Sequence, residues 1–238
     1  MDKFRLLTAE EFKNSYVMDK AASCKPSDFA VVLGAAGSSY SVVDWTLASP
    51  VSYSEGNRTT EVYEVSGSGR LFSLGYINLR NRLAIRPVLS YDTLPSDALK
   101  NEEGLLEVEY GEYPQNVVDA SLEHELDWAF QSNKMVKTGK TYTTDSRMRC
   151  SERKFRPLKY VEYMYNGKRY IRIKEEYEKY QGDHMYSVLL SNHNTYFQSR
   201  YIWIEVSPIK WLVDDKLKIL ISKNALLGGL RFDSKKTI

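Results

Sequence analysis

Carboxylates, three histidines and two short glycine loops are the groups in this chain whose type and spacing reach toward chemistry. Residues 91–130 carry Asp92, Asp97, Glu102, Glu103, Glu107, Glu109, Glu112, Asp119, Glu123, Glu125 and Asp127, opposed by Lys100 alone. Close carboxylate pairs suit general acid–base work, but a solvated acidic face accounts for the same run without catalysis. His124-Glu125 opens an H-E-x-x-H zinc pattern, yet the closing position is Trp128, and His184 and His193 have no ligand-like spacing. Gly34-Ala35-Ala36-Gly37 follows an apolar run but lacks the G-x-G-x-x-G spacing of a dinucleotide loop. Thr138-Gly139-Lys140-Thr141 resembles the end of a Walker A loop, where Lys and Thr would meet phosphate and magnesium. The glycine that such a loop needs five positions earlier is Lys134, so a turn before an extended Tyr142-Thr143 is expected instead. No G-x-S-x-G elbow occurs, and Cys24 and Cys150 are too few for a disulfide framework or a zinc site, which leaves buried thiols as the expectation. These residues predict no catalytic set, no cofactor and no metal.

Charge is segregated along the chain although the total is only +2, from 33 Lys and Arg against 31 Asp and Glu. Residues 147–174 form the basic counterpart of the acidic stretch, with Arg147, Arg149, Arg153, Lys154, Arg156, Lys159, Lys168, Arg169, Arg172 and Lys174. A hydrophobic content of 42% with 27% charged residues is that of an ordinary soluble protein, and no apolar run nears the roughly 18 residues that span a bilayer. Met1–Thr8 lacks an apolar secretory core and is followed by Glu10-Glu11, so a cytoplasmic protein without a membrane partner is expected.

Several elements must position these groups. Thr8-Ala9-Glu10-Glu11 is a capping box, and Phe12, Tyr16 and Val17 follow at helical spacing. Phe29–Leu33 reads as a strand, as do segments around Tyr40–Leu47, Glu61–Val65 and Ile77–Leu89, and Leu105–Tyr110 as a strand ending at Gly111–Gln115. Ser121–Gln131 predicts a helix with Leu122, Leu126, Ala129 and Phe130 on one face. Tyr160–Tyr165, Asn166-Gly167 and Lys168–Ile173 spell a type I′ hairpin with Tyr163 opposite Tyr170. A second hairpin joins Trp203–Val213 to Leu217–Ser222 across Asp214-Asp215-Lys216, with Pro208 marking a bulge or an edge. The polar stretch 93–104 is the expected linker between an α+β domain over 1–92 and a hairpin-rich α+β domain over 105–238.

Three blocks carry a resemblance. Asp44–Pro50 with Ile85-Arg86-Pro87-Val88-Leu89 resembles the Trp-Leu-Arg-Ser-Pro and Val-Arg-Pro-Ala-Leu pair of uncharacterised bacterial and phage-borne proteins related to C-type-lectin folds and sulfatase-modifying factors. Gly111-Glu112-Tyr113-Pro114-Gln115 is similar to a string near the opening of that module, and Pro208-Ile209-Lys210-Trp211 with Ile221-Ser222-Lys223 is similar to its Pro-Ile-Glu-Trp and Leu-Ile-Ser-Lys blocks. In single-module relatives the Pro-Ile-Trp block comes first, whereas here it stands near the end. The resemblance implies a lectin-like amino-terminal domain with short antiparallel strands. It transfers no active site, because the reactive cysteine pair of the sulfatase modifiers and the calcium motifs of lectins have no counterpart here.

What remains is recognition by surfaces. In lectin-like binders the segment between the Trp block and the Arg-Pro block forms the binding surface, and here it holds Tyr53, Asn57, Arg58, Tyr63, Phe72, Tyr76 and Asn81, which equally suit a domain core. The second surface is Arg147, Arg149, Arg153, Lys154, Arg156, Tyr163, Tyr165 and Arg169, where cations and rings could take phosphates and unpaired bases, grip an acidic protein, or pair with residues 91–130. The sequence therefore predicts a non-enzymatic binding or adaptor protein with a protein partner, extended by the resemblance to a phage or mobile-element protein acting on a host nucleoprotein. A nucleic-acid-binding protein centred on 147–174 and an enzyme of unrecognised type are the alternatives.

Overall fold

The computed structural model describes residues 4–33, 35, 43–48, 62–74, 84–144, 158–174, 188–192, 195–196 and 201–228. Its elements run β1 (Arg5–Leu6), α1 (Ala9–Asn14), α2 (Tyr16–Ala21), α3 (Asp28–Val32), β2 (Trp45–Thr46), β3 (Val62–Val65), β4 (Leu71–Leu74), β5 (Ala84–Ile85), β6 (Pro87–Ser90) and β7 (Leu99–Lys100). They continue with β8 (Leu106–Val117), α4 (Ala120–Gln131), β9 (Val136–Thr144), β10 (Leu158–Tyr165), β11 (Lys168–Lys174), β12 (Val188–Leu189), β13 (Thr195–Tyr196), β14 (Tyr201–Asp214) and β15 (Ile219–Ser222).

β14 is the spine, and its sequence shows why. Ile202, Ile204 and Val206 enter a core with Phe29, Tyr160, Ile171 and Ile173. The alternate residue Trp203 enters another core with Val118, Leu126 and Tyr170. Beyond Pro208, Ile209, Trp211 and Val213 meet Leu89, Val108 and Leu220, while Leu212 joins Leu7, Val17, Trp45 and Val88. Each such side chain contributes about 1.5–3 kcal/mol by leaving water, which fixes the register of a strand buried on both faces. Ile204 pairs with Ile171 of β11 and Val117 of β8, and Trp211 pairs with Ser222 of β15 and Val108 of β8. β8 therefore follows one edge of β14, while β11 and β15 divide the other. β10 and β9 extend the sheet beyond β11, and β6 and β1 extend it beyond β15.

This architecture corrects the expected α+β class. Nine strands form one sheet whose pairings are all antiparallel, with four short helices among the described residues. The separate amino-terminal sheet β4-β3-β2-β5 contains a parallel β2–β5 pair, where antiparallel strands alone were expected. β6 pairs with β15 and β7 with β8, so hydrogen bonding runs between segments on both sides of 93–104 and into it.

Locally, the capping box forms as read: Glu11 N donates to Thr8 Oγ1 at 3.1 Å and Thr8 N to Glu11 Oε2 at 2.9 Å. The helix then stops, because Ser15 takes extended dihedrals, caps α2 through Met18 N and donates its hydroxyl to buried Asp214 at 2.5 Å. Phe29–Leu33, expected as a strand, lies in helix α3 and the turn after it. Ser27 caps α3 by accepting from Ala30 N at 3.1 Å, and Asp28 accepts from Val117 N at 2.8 Å and Ser191 N at 2.8 Å. Every residue of α3 is buried, so no amphipathic period marked it as a helix.

Candidate functional site

The sequence blocks that stand out turn out to be anchors for the backbone. Trp45 is fully buried and donates from Nε1 to Ala22 O at 3.0 Å, with the Arg86 guanidinium 5.2 Å from its ring centroid. Arg86 is also fully buried, and donates to Ser222 O and to Ala21 O, each at 2.7 Å. Ala21 ends α2, where carbonyls lack helical partners and carry partial negative charge. Those carbonyls hold the cation although burial pulls its pKa below the ordinary value. In the second block, Tyr110 and Gly111 together oppose Ile209, and Gln115 and Asn116 oppose Glu205, which makes two bulges in β8. Gly111 takes φ +67°, which a side chain would disfavour, and Trp211 Nε1 donates to Tyr110 O at 2.7 Å. Gln115 Nε2 reaches Ser207 O at 3.0 Å and Pro208 O at 2.7 Å. Gln115→Ala strips these carbonyls of that donor, and is expected to cost about 1–2 kcal/mol, seen as a lower urea midpoint at unchanged slope.

Beside these bulges lies a groove of about 420 Å³. Leu89 and Ile209 supply its apolar floor, Phe4 and Tyr110 its walls, and Glu112 and Tyr113 one end. Phe4 is 58% exposed although it stacks on Trp211 at 5.9 Å, and Tyr110 is 52% exposed. Glu112 forms an ion pair with Arg169 of β11. Tyr113 sits edge-on to Phe29 at 5.5 Å and to Tyr142 at 5.8 Å, and burial pushes its phenol up to about 12.

A second polar cluster lies behind that end. Val161 pairs with Thr141 and Tyr163 with Lys137, so Glu162 alone faces the three residues Thr138, Gly139 and Lys140, with Gly139 at φ +84°. The segment expected as a turn is thus a bulge within β9. It folds around Glu162, which is 1% exposed and accepts from Thr138 Oγ1 at 2.8 Å and Tyr142 Oη at 2.6 Å. Both carboxylate oxygens are satisfied. Burial, and then the hydrogen bond to Glu162, raise the Tyr142 pKa far above its ordinary value.

The expected site residues fall in different places. Tyr63 is partly buried against the first core. Tyr163 packs between Phe130 at 5.5 Å and Trp203 at 6.0 Å, Tyr165 has its phenol pKa raised by neighbouring Glu125, and Arg169 meets Glu112. Tyr53, Asn57, Arg58, Tyr76, Arg147, Arg149, Arg153, Lys154 and Arg156 lie outside the described residues. Charge segregation is partly resolved internally: besides Arg169, Arg172 pairs with Asp127 at 3.3 Å and Lys223 with Glu107 at 2.7 Å. The groove itself was missed, since its residues are scattered over three strands and the amino-terminal end; the block Gly111–Gln115 was the available signal. Among the described residues no group of three His, Cys, Asp or Glu could hold a metal, and no helix is long and apolar enough to cross a membrane. No family model, curated protein or solved structure matches this chain.

Proposed function

We infer that the chain is a non-enzymatic binding protein that takes a protein partner into the groove between Phe4 and Tyr110. The observation that carries this reading is the pair of half-exposed aromatic walls on an apolar floor, the kind of anchor on which interfaces concentrate their energy. Nucleic-acid binding needs cations available to phosphates, and Lys168, Arg169 and Arg172 of the basic hairpin are instead engaged by Glu205, Glu112 and Asp127.

The test is a tagged capture from lysate, with nuclease and at high salt, using the wild-type chain and the Phe4→Ala/Tyr110→Ala double variant. A protein that survives nuclease and salt on the wild type is expected to bind the double variant at least about tenfold more weakly. Equal capture by both, or capture of nucleic acid alone, would overturn the reading.

A further inference from the structure

Arg172 lies in a cage that suits a different cation better. Its guanidinium carbon is 4.2 Å from the Tyr201 ring centroid, 4.5 Å from Phe130 and 5.7 Å from Trp203. Asp127 completes the enclosure, 3.3 Å from one guanidinium nitrogen and held by Trp203 Nε1 at 2.9 Å. The parts come from α4, β11 and β14, and Trp203 and Phe130 are fixed edge-on at 5.8 Å. Three ring faces and one carboxylate are the composition that binds organic cations, through the ring quadrupoles and one fixed negative charge.

The resident guanidinium fits this enclosure poorly. It has five N–H donors, while the rings offer no ordinary acceptor and Asp127 supplies one long contact. Its Nε is buried without a hydrogen-bond partner, a desolvation cost that nothing in the cage returns. A quaternary ammonium has no N–H to satisfy, so it would gain the same ring and carboxylate attraction and forfeit no hydrogen bond. The cage also reaches the surface: Tyr201 is 46% exposed, and the Asp127 and Arg172 side chains are 36% and 21% exposed.

We propose that Asp127, Phe130, Tyr201 and Trp203 form a binding site for a methylated ammonium group, which Arg172 occupies as a stand-in until the ligand displaces it. The site is separate from the Phe4–Tyr110 groove and does not depend on that assignment. The ligand chemistry is shared by a trimethyl-lysine side chain and by a free choline-type solute.

The experiment titrates the full chain with tetramethylammonium, following the indole N–H resonance of Trp203, in wild type, Arg172→Ala and Arg172→Gln. Emptying the cage should strengthen binding about tenfold or more, because the ligand no longer has to displace an arginine, and Asp127→Asn added to either variant should take about tenfold away. Choline and a trimethyl-lysine peptide, with the unmodified lysine peptide as control, distinguish the two sources: the tighter binder names the ligand. If neither arginine variant folds, the wild-type titration decides, with the Trp203 resonance expected to shift at high millimolar tetramethylammonium. A folded arginine variant whose Trp203 resonance ignores the cation overturns the proposal, as does binding indifferent to Asp127→Asn or a silent wild type where no variant folds.

Discussion

Arg86→Ala is expected to lower the unfolding free energy by about 3–5 kcal/mol, from carbonyls that lose their donor and from the cavity it leaves. The substitution deletes the donors to Ser222 O and Ala21 O, and each buried carbonyl left unpaired costs about 1–3 kcal/mol. It also opens a cavity against Trp45 of β2 and Met18 of α2. At about 2–4 °C per kcal/mol for a chain of this size, the melting midpoint should fall by roughly 10 °C. Arg86→Lys keeps the charge but cannot span carbonyls on β15 and α2 with one ammonium, so it should recover less than half the loss. A urea midpoint for Arg86→Ala that stays within about 1 kcal/mol of wild type would show that the carbonyls find other donors.

The same residue shows where sequence reasoning reached and where it stopped. Ile85–Leu89 stood out as a block, but nothing in it says that Arg86 turns inward to a helix end that lies 65 residues earlier. Signals contained within a few residues were legible. Asn166 and Gly167 take φ +48° and +74°, and the I′ turn they make sets Tyr163 opposite Tyr170 as alternation requires. Pro208 reads as a bulge or an edge; it pairs with Glu112, and the bulge lies one residue on, in β8 opposite Ile209. Fold class was not legible, because it depends on which strands pair. β14 could be seen as a strand, yet its choice of β8, β11 and β15 rests on complementary burial on two faces, which no local pattern records. β8 was expected to end near Gly111, but the bulges there and at Gln115 let it continue to Val117. Pairing between the charge blocks was one of three readings the sequence left open, and Arg169–Glu112 and Arg172–Asp127 are two such pairs, while the groove and the Arg172 cage, assembled from distant segments, had no sequence signature beyond the residues themselves.

Alkaline pH should destabilise the protein through its buried phenols, with a sign fixed by the direction of their pKa shifts. Unfolded tyrosines ionise near pH 10, whereas Tyr113 is pushed up to about 12 and Tyr142 higher still, by burial first and then by Glu162. In this window the native state holds protons that the unfolded state has lost, so stability falls as pH rises. The contribution is fully present below about pH 10, and for Tyr113 the loss reaches about 2–3 kcal/mol by pH 12. Tyr142→Phe is expected to cost about 2 kcal/mol at pH 8, because it strips one of the two donors from buried Glu162, and to flatten the alkaline fall. Glu162→Gln should also flatten the alkaline fall: it removes the charge that holds the Tyr142 proton, so the native-state pKa drops and the fall, which begins near pH 10 where unfolded tyrosines ionise, ends at lower pH. A double-mutant cycle between the two should give a coupling of about 1.5–3 kcal/mol at pH 8, the range for a hydrogen bond to a charged group. Urea melts from pH 8 to about 11.5 read all of this; a Tyr142→Phe chain with the wild-type alkaline slope would mean that the phenol already ionises in the native state, and that Glu162 is held by Thr138 alone.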